Sequence, residues 1–290
     1  METGKGKPTI AFVMKTLNNP FFIDMQKGAR YAADSLGVNL MIRAAEREVD
    51  AEKQLQIMEN LIQRKVAAIC ITPSGSKEIV PGIVKANRAG IPVLVVDTRI
   101  DEQTLKESGG YIGTFIGSDN VEGGRIAAEY IVGKLNHHGK IAVLEGIPGH
   151  ETGDARLKGF REIIDAAPEV EIIASQTANW ERDQGFNVFQ NMLQSNPDIE
   201  ALFACNDMMA LGAVEAIAAA GKTGQIIVVG FDAVSDGRIA IQGGRMAGSV
   251  AQHPYEMGFV AIEKAMEVIN GKVIPGDIPV TIELITREKL

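Results

Sequence analysis

The chain has 290 residues, 46% of them hydrophobic and 23% charged, which suits about two ordinary globular domains and excludes a disordered chain. Its 37 acidic residues outnumber 29 basic ones, for a formal charge of −8, which argues against non-specific binding to nucleic acid or anionic membrane. No stretch approaches the ~18 consecutive apolar residues of a membrane span.

The N-terminal run Met1-Glu-Thr-Gly-Lys-Gly-Lys-Pro8 has no apolar signal core. It reads as a tag scar or frayed end, of a cytosolic protein or of one whose export signal has been removed. A strand is expected over Ile10–Met14, then a helix over Phe22–Ser35. The order continues with a strand at Asn39–Ile42, a helix at Ala51–Arg64 and a strand at Ala67–Ile71. A helix at Ile79–Ala89 leads to a strand at Pro92–Val96. The strands are continuously apolar rather than alternating, which marks strands buried on both faces of a parallel sheet. Strand–helix alternation implies right-handed βαβ units.

The plan then repeats. Lys140-Ile-Ala-Val143 echoes Thr9-Ile-Ala-Phe12, Ala201-Leu-Phe-Ala-Cys-Asn206 echoes Ala67-Ala-Ile-Cys-Ile-Thr72, and Ile227-Val-Val-Gly-Phe-Asp232 echoes Pro92-Val-Leu-Val-Val-Asp97. Gly37 and Pro168 stand where the first helix of each copy should stop. The near-constant offset predicts two similar doubly wound α/β lobes. Further elements follow the second copy: a helix at Val234–Gln242, strands at Ala247–Val250 and Val280–Leu284, and a long helix at Tyr255–Ile269. The boundary between lobes is therefore not one linear cut.

In open α/β sheets, ligands bind beyond the carboxyl ends of strands. Those positions hold Asn18, Asn19, Phe21 and Phe22, then Thr72, then Asp97, Thr98 and Arg99 in the first copy. The second copy offers Arg156, Trp180, Asn206-Asp207 and Phe231-Asp232, and Gln252 follows the next strand. Amides, carboxylates and a guanidinium in each half, rimmed by aromatic faces, suit a neutral polyhydroxyl ligand. Plainer roles compete at several positions. Asp97 and Asp232 could cap turns, Asn206-Asp207 could cap a helix, and Phe21 and Phe22 could be core.

Enzyme signatures are missing: no phosphate loop, dinucleotide turn or nucleophile elbow occurs. No cofactor and no metal site is expected. His137-His138 lies in a surface loop, and His150 and His253 lack partners at ligand spacing, although His150 falls near the ligand-binding strand ends. Cys70 and Cys205 are too few for a disulfide framework. Both sit in apolar runs, where a thiol acts as a small hydrophobe.

Five motifs in fixed order, Leu17-Asn-Asn-Pro-Phe-Phe22, Gly117-Ser-Asp-Asn120, Ala204-Cys-Asn-Asp-Met-Met-Ala-Leu-Gly212, Val229-Gly-Phe-Asp232 and Ala251-Gln252, make residues 8–290 resemble the ribose-type periplasmic sugar-binding proteins of bacterial ABC transporters. The resemblance implies the type I periplasmic-binding fold, two lobes joined by three hinge crossovers. One lobe would comprise residues 7–118 and 253–281, the other 119–252 and 282–290, with the ligand enclosed as they close. It implies ligand contacts from Asn19, Phe21, Phe22 and Asp97 in the first lobe. From the second come Arg156, Trp180, Asn206, Phe231 and Asp232, and Gln252 lies at a hinge crossover. It also implies a monomer, periplasmic or lipid-anchored outside the cell, that hands a sugar or polyol to a permease. A chemoreceptor is a further partner left open.

Two positions depart from the ribose pattern. Thr72 stands for an Asn and Thr98 for an Arg, while Arg99 comes one place late, where an extended chain points it to the opposite side. Ribose itself is therefore not the expected ligand. The rival readings are the effector domain of a sugar-responsive transcription regulator lacking its DNA-binding head, and a chemosensory sugar receptor.

Overall fold

The structure is a computed structural model that describes residues 6–290. The reading of Met1–Pro8 as a tag scar falls largely outside that range. Pro8 itself is already tied in, its carbonyl accepting from Asn39 N–H at 3.0 Å.

The chain falls into two compact units, one running up to Gly117 and resuming over His253–Val280, the other spanning Ser118–Gln252 and Thr281–Leu290. The first unit contains β1 (Thr9–Met14), α1 (Pro20–Leu36), β2 (Asn39–Ala44), α2 (Ala51–Gln63), β3 (Ala68–Ile71), α3 (Val80–Arg88), β4 (Val93–Val96), α4 (Glu102–Glu107) and β5 (Thr114–Gly117). The second contains α5 (Asn120–Lys134), β6 (Gly139–Glu145), α6 (Glu151–Ile164), β7 (Val170–Thr177), α7 (Arg182–Ser195), β8 (Ala201–Ala204), α8 (Asp207–Ala219), β9 (Ile227–Asp232), α9 (Ser235–Gln242) and β10 (Gly248–Ala251). The chain then returns to the first unit for α10 (Pro254–Ile269) and β11 (Asp277–Pro279), and ends in the second with β12 (Glu283–Thr286).

The first sheet runs β11-β5-β4-β3-β1-β2 and the second β12-β10-β9-β8-β6-β7. The strand plans are the same, as the repeat predicts. Central strands β3, β4, β5 and β8 are buried at every position. That is why they read as unbroken apolar runs. The expected strand over Val280–Leu284 is the one misplaced element. One short strand ends just before that stretch and another begins inside it at Glu283, because the chain passes between units at residues 280 and 281. β11 pairs parallel with β5, whereas β12 pairs antiparallel with β10.

Local chemistry explains the ends of α1. Asn19 caps it, its side chain accepting from Phe21 N–H, Pro20 fills the first turn where a missing N–H costs nothing, and Gly37 closes it in the left-handed region. Each unit then joins helices through paired glycines. A β-carbon on Gly28 of α1 would lie 1.9 Å from the Tyr255 carbonyl oxygen, and one on Gly258 of α10 would lie 1.9 Å from that of Met25. The second unit repeats the device with Gly124 of α5 against Arg156 O at 2.0 Å and Gly159 of α6 against Val121 O at 1.8 Å.

α10 and α5 both start directly after the chain has changed units. The glycine crossings therefore fasten the returning chain by backbone-to-backbone approach. Gly159→Ala is expected to destabilise by about 1–3 kcal/mol, since no rotamer relieves a clash with backbone. In an open helix the same change would stabilise by up to ~1 kcal/mol. Urea melts decide the sign, and a stabilised variant would show that the crossing is loose.

Candidate functional site

In both sheets the strand order reverses between the first and third strands of the copy, the point where α/β sheets open at their carboxyl ends. The candidate residues of each unit collect there.

In the first unit Asp97 follows β4 in the left-handed region, with φ 68°. A non-glycine residue there is strained by about 1–2 kcal/mol, an outlier of the kind that clusters at functional sites. A turn closed by Thr98 N–H to Val96 O at 2.8 Å holds it. The Asp97 carboxylate is buried, and its Oδ2 accepts from Lys15 Nζ at 3.2 Å and Thr98 Oγ1 at 2.9 Å. Thr72 Oγ1 in turn accepts from Lys15 N–H at 3.0 Å. Thr72 thus steadies the lysine, and Thr98 steadies the aspartate.

Phe21 and Phe22 are buried and meet edge to face, with centroids 5.2 Å apart, and the Lys15 ammonium lies 5.6 Å from the Phe22 ring. Asn19 spends its oxygen on the α1 cap and its amide on Glu48 Oε1 at 3.0 Å. Arg99 leaves the cluster. It lies over the Phe115 ring at 3.8 Å and pairs with Asp277 at 2.7 Å.

In the second unit the matching carboxylate, Asp232, ends β9 and is again left-handed, with φ 106°, as is Ala233 after it at 49°. Asp232 Oδ1 accepts from Gln252 Nε2 at 2.6 Å and lies 3.8 Å from Arg156 Nη1. Arg156, on α6, is buried. Its Nε donates to Asn120 Oδ1 at 2.9 Å, its Nη1 donates to Cys205 O at 2.6 Å, and its plane lies 3.8 Å from the Phe231 ring. Trp180 lies 5.7 Å from the same guanidinium and edge-on to His150 at 6.1 Å. Its ring fills a slot that glycine leaves, since a β-carbon on Gly146 would lie 2.0 Å from Trp180 Cζ2. Asn206 caps α8 through Met209 N–H and donates to Trp180 O at 3.1 Å, so capping and positioning coexist in one side chain.

Two buried polar atoms here lack a hydrogen-bond partner among the described residues: the donor Trp180 Nε1 and the acceptor Gln252 Oε1. Natural structures rarely leave such atoms unsatisfied without a functional reason. Burial pushes the Cys205 thiol up to about 12 and raises that of Cys70 as well, so both stay protonated and inert at neutral pH.

Lys15 and Asn120 belong to these clusters and are not among the residues singled out from sequence. Lys15 follows the first strand directly, where a cation looks like an ordinary exposed residue. Its only sequence cue is its place at the carboxyl end of a buried strand. Asn120 closes the Gly117–Asn120 motif, and its role emerges only once α5 lies against α6.

Two parallel-sheet units threaded three times by one chain, each with a buried carboxylate and aromatic rings at the same strand ends, define the type I periplasmic-binding architecture. The family model described as periplasmic binding protein domain matches residues 10–273, and the chain belongs to that family. The chain is 38% identical to the D-allose-binding periplasmic protein of Escherichia coli K12, over 92% of this chain and 86% of that protein. It is also 38% identical to the ribose import binding protein RbsB of the same organism, over 97% and 92%. A solved structure of an ABC transporter periplasmic solute-binding protein from Actinobacillus succinogenes 130z, with bound D-allose, superposes with a TM-score of 0.93 at 37% identity. That likeness covers 98% of this chain and 99% of the other.

Proposed function

We propose that the chain binds a monosaccharide or related polyol, ribose not being the preferred one, and delivers it to the permease of an ABC importer without catalysing a reaction. The observation that carries this reading is the buried carboxylate at the same strand end of each unit, Asp97 and Asp232, each beside a cation and aromatic rings. Carboxylates accept from sugar hydroxyls, cations and amides donate to them, and ring faces cover the apolar C–H patches. Trp180 Nε1 and Gln252 Oε1 supply one open donor and one open acceptor for hydroxyls of the ligand.

On this reading both clusters serve one ligand. Contacts to both units would favour a closed arrangement over an open one. Asn19, Phe21, Phe22 and Asp97 act from one body, and Arg156, Trp180, Asn206, Phe231, Asp232 and Gln252 from the other. Thr72 and Thr98 act through Lys15 and Asp97. The Lys15 ammonium takes over the donor role that the ribose pattern gives to an arginine. The names of the relatives support sugar import and a periplasmic location, a lipid anchor outside the cell being the alternative placement. The protein works as a monomer, and a chemoreceptor is a second docking partner in this scheme.

The test is a thermal-shift panel of pentoses, hexoses, ketoses, deoxy sugars, pentitols and inositols on protein that has been unfolded and refolded to strip carried-over ligand. A true ligand at ~100 times its dissociation constant adds roughly 2.7 kcal/mol, a shift of several degrees. One stereochemical group is expected to respond, more strongly than ribose. Silence from demonstrably refolded protein would overturn the ligand class.

A further inference from the structure

Asp207 lies beside Asn206 at the start of α8, yet it does not cap that helix. Its oxygens turn away to two other strand ends. Oδ2 accepts from Val234 N–H at 2.9 Å, and Oδ1 accepts from Ser249 Oγ at 2.7 Å, whose oxygen accepts from Ala233 N–H at 3.0 Å. Arg238 Nε holds the same turn from α9, donating to Ala233 O at 2.9 Å. The two backbone amides after Asp232 are therefore both held by one chain of bonds that starts at Asp207.

That turn needs holding, because Asp232 and Ala233 are both non-glycine residues in the left-handed region. The carboxylate is also built in. Asp207 is fully buried, and β-carbons on Gly230 and Gly237 would lie 2.1 Å from Oδ1 and 2.3 Å from Oδ2. Only glycines at those places leave it room. A buried carboxylate is costly to keep, and an apolar side chain would have filled the space more cheaply.

We infer that Asp207 is a positioning residue, which fixes the strained Asp232–Ala233 turn through Val234 and Ser249 and so sets how tightly Asp232 grips the ligand. The inference rests on the reading of Asp232 as a ligand carboxylate and assigns Asp207 no ligand contact of its own. Alanine in its place removes both accepting oxygens, so both bonds are lost, whereas asparagine could keep them by donating to Ser249 Oγ.

The experiment is a double-mutant cycle by calorimetry at pH 8 with wild type, Asp207→Ala, Asp232→Asn and the double variant. The probe is D-allose first, replaced by the panel sugar of largest thermal shift if another exceeds it. Asp207→Ala is expected to weaken binding roughly tenfold in the wild-type background and less than about threefold once Asp232 is already changed. Amide exchange of Val234 without ligand is expected to speed up by roughly tenfold in the same variant, while amides of α8 keep their protection.

Ser249→Ala breaks the Ala233 branch of the same chain while keeping the carboxylate and the Val234 bond, and if Asp207→Ala fails to fold it is expected to reproduce the weakened binding and to speed exchange of the Ala233 amide instead. Independent, multiplying losses in the cycle, wild-type affinity in Asp207→Ala, or unchanged Val234 exchange in that variant would each overturn the inference. If no sugar in the panel binds the wild type, the ligand reading falls. The positioning role is then decided by Val234 exchange alone.

Discussion

Arg156→Ala is expected to destabilise the protein by about 3–5 kcal/mol, because the change strips the partner from a buried charge. The guanidinium sits among Asn120 Oδ1, Cys205 O, Asp232 and the face of Phe231. Truncation leaves two buried acceptors unserved, a buried carboxylate without its neighbouring guanidinium, and an empty space beside the ring. Arg156→Met keeps most of the volume and removes only the charge and the hydrogen bonds. If packing were the main contribution, methionine would restore most of the loss in urea melts. Recovery of less than about half would place the loss in the polar network instead. A variant as stable as wild type would show that the four contacts add nothing to folding.

The second large effect is on the pH dependence of stability. Burial raises the Asp207 carboxyl from its ordinary range to about 7, against the opposing pull of the Ser249 and Val234 hydrogen bonds and of the Arg238 and Arg156 charges. In the unfolded chain the same group loses its proton near pH 3.9. Between about pH 4 and pH 7 the folded state therefore holds the proton more tightly than the unfolded one. Stability falls as pH rises through this window, and above it the full cost of the buried charge is present. A shift of that size corresponds to roughly 4 kcal/mol at most.

Asp207→Asn carries no titrating group, and the other carboxylates titrate alike in both proteins. The variant is thus expected to gain on wild type by several kcal/mol between pH 4 and pH 8. Paired urea melts at pH 4, 5.5 and 8 measure this, whatever constant offset the altered hydrogen bonding adds. A difference independent of pH would mean that the carboxyl ionises in its ordinary range despite its burial.

The paired strand-end carboxylates are legible in the sequence as a repeat, since Asp97 and Asp232 close matching apolar runs. Their left-handed backbone is not legible there, because aspartate has no sequence mark for positive φ and the turn is imposed by its neighbours. Lys15 escapes notice for a related reason. Lysine is normally solvated, and its burial here follows from Asp97, a residue 82 positions away, lying against it. Arg99 does leave the cluster as expected, yet it follows a left-handed turn at Asp97 rather than the strict alternation of an extended chain. The stretch Val280–Leu284 reads wrongly as a strand because its apolar residues suggest one element. The chain instead changes units in the middle of them, and no local pattern records that.

Taken alone, the sequence determined the α/β class, the doubled strand plan, the sheet interiors and the strand ends where a ligand would bind. Each of these is written in short-range hydrophobic periodicity and in local capping and turn chemistry. Only the tertiary structure decided which charge meets which. Lys15 with Asp97, Arg156 with Asp232 and Asp207 with the turn that follows Asp232 are pairs joined across different elements. Side chains so distant along the chain meet because parallel strands bring their carboxyl ends to one edge. Whether a buried charge there is tolerable depends on partners that the local sequence does not contain.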